Sequence, residues 1–144
     1  MTSVDFQWNV LGGESADGGT RFDPGSTLEG TVILTPQTDL NCSGVKIRLE
    51  WHTEGRGDRD RKTAGEIVAF RGVLPGGQLV VLPFRFTLPS QPWSYSGFYI
   101  NILWELVADV DLPLAINPKS RYPILLRPQG AYISQALNPE DRSG

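Results

Sequence analysis

A chain of 144 residues is the length of one domain, and at that size roughly 68–70% of the unfolded surface is buried, enough for a core without staples. A net charge of −3 leaves no basic field for nucleic acid, and no apolar run approaches the ~18 residues that a membrane-spanning helix requires. The opening residues MTSVDFQWNV lack a basic segment followed by a long apolar stretch, and the lone Cys42 has no internal disulfide partner, so a reducing, cytoplasmic compartment is expected.

Apolar residues alternate with polar ones repeatedly along the chain, and Gly and Pro punctuate the alternation without collecting into a linker. Val4, Phe6, Trp8 and Val10 share one parity and predict a half-buried first strand. Residues 11–20, LGGESADGGT, are polar and Gly-rich and read as a loop. Leu28, Gly30, Val32 and Leu34 form a second strand that runs up to Pro36. Gly30 inside it signals a bulge or a close backbone approach. Val45, Ile47, Leu49 and Trp51 then alternate with Lys46, Arg48, Glu50 and His52, which puts the first set on a core face and the second in water. A charged stretch follows, and Ile67 to Phe70 resume as a strand. Val80, Leu82, Phe84, Phe86 and Leu88 form the next one. Pro83 lies within it and cannot donate to a ladder, which places that strand at an edge or on a bulge. Phe98, Ile100, Ile102, Trp104, Leu106, Ala108 and Val110 make the longest run of one parity, and Tyr122, Ile124 and Leu126 close the pattern. The expected fold is all-β: a sandwich of two antiparallel sheets with about seven or eight strands. One domain over 1–128 is expected, with a C-terminal tail over 129–144.

The inventory for chemistry is thin. His52, the only histidine, falls on the polar parity beside Arg48 and Glu50; it reads as a solvated strand residue, and the alternative is a hydrolase pairing it with Asp58 or Asp60. No nucleophile elbow, phosphate loop or paired metal-ligand motif occurs. Cys42 reads as a small half-buried residue. Asp58 with Asp60, and Asp109 with Asp111, are spaced to share a strand face, but calcium wants six to eight oxygens, and neither pair sits in a loop rich enough to supply them. Asp109 and Asp111 are expected to keep an exposed face wet. Arg56-Gly57-Asp58 spells a cell-adhesion tripeptide, which is too short to carry weight. Trp8, Trp51 and Trp104 have core parity, whereas Trp93, between Pro92 and Ser94 in a loop, is the candidate exposed aromatic. The sequence therefore predicts no enzyme, metal or cofactor.

Particular strings are more specific. Residues 21–34, RFDPGSTLEGTVIL, resemble the aromatic-x-Pro-Gly signature and following strand of the arrestin-like amino-terminal domain. Residues 84–113, FRFTLPSQPWSYSGFYINILWELVADVDLP, resemble its later signature, and residues 45–60 resemble the strand that enters the arrestin finger loop. The stretch DLPLAINP, 111–118, is closer to bacterial sporulation-control relatives than to animal arrestins. The resemblance implies an immunoglobulin-like sandwich serving as an adaptor or scaffold. It departs from the family in having length for one lobe, no counterpart of the short amphipathic helix over RGVLPGGQ (71–78), and no lysine in the first strand, so recognition of phosphorylated receptors is not implied.

The expected function is non-enzymatic protein binding. The candidate surface is the stretch 54–62, with Arg56, Asp58, Arg59, Asp60, Arg61 and Lys62, held between strands ending near Trp51 and resuming near Ile67, and with Gly55 and Gly57 freeing its tip. A homodimer, or a partner strand along an edge, is a further expectation, because the first strand carries few charges. The alternative is a carbohydrate- or cell-wall-associated module using Trp93.

Overall fold

The structure is a computed structural model, and it describes residues 3–55, 60–97 and 99–129. The tail expected over 129–144 lies outside these residues except for Gln129. Among these residues there are ten strands: β1 (Val4–Leu11), β2 (Glu14–Ala16), β3 (Gly19–Phe22), β4 (Thr27–Pro36), β5 (Leu40–Gly55), β6 (Arg61–Leu74), β7 (Val80–Thr87), β8 (Tyr95–Ser96), β9 (Ile100–Asp111) and β10 (Lys119–Leu126). They form a three-stranded sheet, β1-β4-β7, and a seven-stranded sheet ordered β2-β3-β10-β9-β5-β6 with β8 on β9. The two-sheet sandwich expected from the alternation is therefore the fold, with one parallel pair, β10 with β3, in an otherwise antiparallel arrangement.

The core is the layer where the inner parities meet. Leu28, Val32 and Leu34 of β4 face Val45, Ile47 and Leu49 of β5 and Leu106, Ala108 and Val110 of β9, and all are fully buried. Trp104 is buried as well, whereas Trp8 and Trp51 are half-buried, packed against the core edge. Trp51 lies 6.4 Å from Trp104 between ring centres, and Trp8 lies near Phe84 and Tyr122. The Trp8 Nε1–H donates to Ser120 Oγ (2.9 Å), tying the small sheet to the large one at its β1 side.

Local signals read from the sequence take concrete form. At Pro24-Gly25 the Ser26 N–H donates to Asp23 O (3.1 Å), and Gly25 has φ +80°, as the third residue of a Pro-Gly corner requires. At Gly30 an added Cβ would fall 2.3 Å from Asn9 O, so the close approach of β1 is what demands glycine there. Residues 11–20 depart from the expected loop. Glu14–Ala16 and Gly19–Phe22 form a small hairpin about Asp17-Gly18, in register Glu14↔Arg21. Arg21 holds it, its Nε on Glu14 Oε1 (3.2 Å) and its Nη1 on Asp23 Oδ1 (2.6 Å). With β8, these two strands account for the excess over seven or eight.

Candidate functional site

β5 and β6 form a hairpin that runs well past the ends expected for it. Trp51 pairs with Lys62 and His52 with Arg61. The Thr53 N–H donates to Asp60 O (2.9 Å), and the Asp60 N–H returns to Thr53 Oγ1 (3.0 Å). Glu54 and Gly55 thus belong to β5, Arg61 and Lys62 to β6, and Asp60 closes the ladder. Arg56, Asp58 and Arg59, with Gly57, lie outside the described residues. A bulge between Leu49 and Glu50 skips Ala64 and breaks the alternation of β6, which is why the strand is illegible there. Gly55 is not a free tip either. It pairs with Ile100, and a Cβ on it would come within 2.2 Å of Tyr99 O.

The outer face of the large sheet is a second correction. Arg48, Glu50 and Asp109 were expected in water, yet Glu50 is 4% and Asp109 7% exposed. β5, β9 and β10 lie side by side, so long arginine stems on one strand cover carboxylates on the next. Arg48 reaches Glu50 Oε2 (2.7 Å) and Asp109 Oδ2 (3.1 Å). Arg61 Nη1 reaches Glu50 Oε1 (2.9 Å) and Glu105 Oε1 (3.2 Å), and Arg121 joins the same Glu105 oxygen from β10. Val107, opposite Arg48 and Arg121 in the ladder, is buried completely on this outer face. Burial would push the Glu50 carboxyl up, but the hydrogen bonds and charges of Arg48 and Arg61 outweigh it and hold that carboxyl below the usual glutamate range. Arg61 is thus committed to an intramolecular network, although it remains half-exposed.

His52 joins this network. Its Nε2 is 3.1 Å from Glu54 Oε2, and its Nδ1, buried, is 3.8 Å from Glu105 Oε1. Asp60 is bonded to Thr53 through its backbone, and Asp58 lies outside the described residues. Two surface cavities, one around Gly30 and Phe84 and one around Arg21 and Phe22, do not include His52 in their walls. Among the described residues no three His, Cys, Asp or Glu groups are placed to hold a metal ion. Cys42 is buried, its Sγ on Gly72 O (3.2 Å), and burial pushes its thiol up, away from the reactive thiolate.

Trp93 is 43% exposed, and its neighbours are fastened on both sides. Pro92 O accepts the Trp104 Nε1–H (2.7 Å), while Ser94 is bonded twice to Leu126: its N–H to Leu126 O (2.7 Å) and its Oγ to the Leu126 N–H (2.8 Å). The Trp93 Nε1–H itself donates to Ser90 O (2.9 Å), which fixes the ring's orientation while leaving much of its surface outside. β8 then pairs with Asn101 and Ile102, and the turn into β9 presents Tyr99 and Ile100, 65% and 43% exposed, beside the paired Gly55. The aromatic loop and the hairpin thus flank the same end of β9. The loop's fastening, absent from any reading of parity, is the feature that the sequence concealed.

No family model matches this chain, and no curated protein matches it by sequence. Among solved structures it is similar to Spo0M, the sporulation control protein from Bacillus subtilis, with a TM-score of 0.63 at 18% identity over 89% of this chain and 50% of that one. It spans about half of Spo0M's length. A looser likeness, to the E. coli curli protein CsgC, has a TM-score of 0.41 at 11% identity over 84% of this chain and 99% of that one, too distant to bear on the fold. The likeness to Spo0M shows that this chain has an arrestin-like β-sandwich fold.

Proposed function

We propose that this chain is a non-enzymatic protein-binding module, a single arrestin-like lobe acting as an adaptor or scaffold in the cytoplasm. One observation carries the reading: an exposed tryptophan held between two anchored neighbours, at the end of the sandwich where the β5–β6 hairpin also emerges. A rigid aromatic loses little side-chain freedom when a partner covers it, and such residues dominate binding energies at interfaces. Supporting it are the description of Spo0M as a sporulation control protein, which is a regulatory role, and the commitment of His52 to carboxylates on an open sheet face. Within this reading the binding surface comprises Trp93, the Tyr99–Ile100 turn and the stretch Arg56 to Lys62, and the target is a mixed-charge protein surface.

The test is co-purification of native partners with Trp93→Ala, with residues 56–59 replaced by Asn-Gly, and with the unaltered chain. Loss of the same partners in both variants, with melting temperatures unchanged, is the expected outcome. Partners retained by both would move attention to the sheet edges. The exposed ring also favours a second reading, a carbohydrate- or cell-wall-associated module; binding to polysaccharide that Trp93→Ala abolishes would decide for it.

A further inference from the structure

An unpaired strand edge is a row of free N–H and C=O groups, and folded proteins blunt such edges. Among the described residues, β2 and β6 end the large sheet and β1 and β7 the small one. β2 is three residues long. β6 carries Arg61, Lys62, Glu66 and Arg71, shifts register against β5, and contains Gly72 at φ +111°. In β7 the defence is Pro83, and the ladder's phase shows how it acts. The Leu88 N–H donates to Ser26 O (2.8 Å), so the even residues of β7 bond to β4 and the odd ones face outward. Pro83 therefore removes a donor from the middle of the free edge.

β1 has none of these devices. It runs eight residues in unbroken register with β4, without proline and with Asp5 as its one charge. The Gln37 N–H donates to Ser3 O (3.1 Å), which sets the opposite phase: odd residues bond to β4, while Val4, Phe6, Trp8 and Val10 turn their backbone groups to the open edge. Those same four side chains point inward yet are only half-buried, whereas Leu28, Val32 and Leu34 on neighbouring β4 are fully buried. Among the described residues, both the ladder and the core end at β1.

We propose that the missing strand is β1 of a second copy, added antiparallel about a two-fold axis at Gln7. In this register Phe6 faces the partner's Trp8 and Val4 faces the partner's Val10, so apolar residues meet apolar ones. On the outer face Gln7 meets the partner's Gln7, and Asp5 meets the partner's Asn9, so no like charges oppose each other. The strand is thus complementary to itself, as an isologous contact demands. The resulting six-stranded sheet would end on both sides in β7, where Pro83 blocks further addition. Association stops at two.

The test uses the full chain. Sedimentation should show a concentration-dependent dimer, and Gln7→Lys, which puts two charges face to face at an exposed position, should raise its dissociation constant by about tenfold or more with the circular dichroism unchanged. Gln7 and the partner's Gln7 form a non-hydrogen-bonded pair, whose Cα atoms lie ~4.5 Å apart, within disulfide reach. Gln7→Cys should therefore crosslink under mild oxidation, while Asn9→Cys, equally exposed but facing the partner's Asp5, should not. A chain that stays monomeric at millimolar concentration overturns the proposal, as does equal crosslinking by both cysteine variants. Amides of Phe6, Trp8 and Val10 protected from exchange independently of concentration would also overturn it, by assigning the edge to residues of the same chain.

Discussion

The two faces of the large sheet are both buried along their centre, but by different physics. On the inner face Val45, Ile47, Leu49, Leu106 and Val110 lose water to one another and to the small sheet. On the outer face, among the described residues, the buried carboxylates of Glu50 and Asp109 are paired with Arg48 and Arg61, and Val107 is buried beside them. The inner face tolerates exchange of one apolar group for another of similar volume, because its contacts carry little direction. The outer face depends on particular partners, since a buried carboxylate that loses its guanidinium has nothing else to bond. Charges on a sheet face can thus be taken out of water where they pair across strands.

Four measurements would break or sharpen this contrast. The largest effect is expected on the inner face: Trp104→Ala should cost about 3–5 kcal/mol in denaturant unfolding, and half-buried Trp51→Ala roughly half of that. On the outer face Glu50→Ala, which removes an acceptor shared by Arg48 and Arg61, should cost about 2–3 kcal/mol. Equal costs for Glu50→Ala and for a surface glutamate such as Glu29 would show that the outer network is only decoration. Acid gives a third, smaller handle. The Glu50 carboxyl is held below its unfolded value of about 4.3, so its stabilisation is complete above that pH and is lost as pH falls through the lower, folded value. Stability measured from neutral pH downward should therefore fall more steeply below about pH 4 in the unaltered chain than in Glu50→Gln. The smallest effect should be that of Arg61→Ala, about 0.2–1 kcal/mol, since its side chain is 47% exposed and Arg48 stays on Glu50.

The same contrast explains what could be read beforehand. Parity locates the inner face because apolar side chains declare themselves: the burial of Leu49 and Trp104, the edge position of Pro83 and the close approach at Gly30 were all legible. The outer network was not, because Glu50, Arg48 and Asp109 look like any solvated strand face until β9 is known to lie between β5 and β10. The hairpin at Glu14–Phe22 did leave a mark, since Asp17-Gly18 is a turn dipeptide, but its strands are too short and polar to alternate visibly. For the candidate site, an exposed Trp93 could be expected from its place between Pro92 and Ser94. Its fastening could not, because Trp104 and Leu126 come from strands distant in sequence.

That fastening has a mechanical side. Leu126 is gripped by Ser94, and Arg127 is held in turn by Phe22 O, through its N–H (3.3 Å), and by the Arg21 guanidinium on its carbonyl (2.9 Å). The chain therefore leaves its last strand through a clamp with one jaw on the Trp93 loop and the other on β3. Tension applied beyond residue 127 would load this clamp before the bonds between β9 and β10, first its β3 jaw at Arg127 and then the Trp93 loop at Leu126.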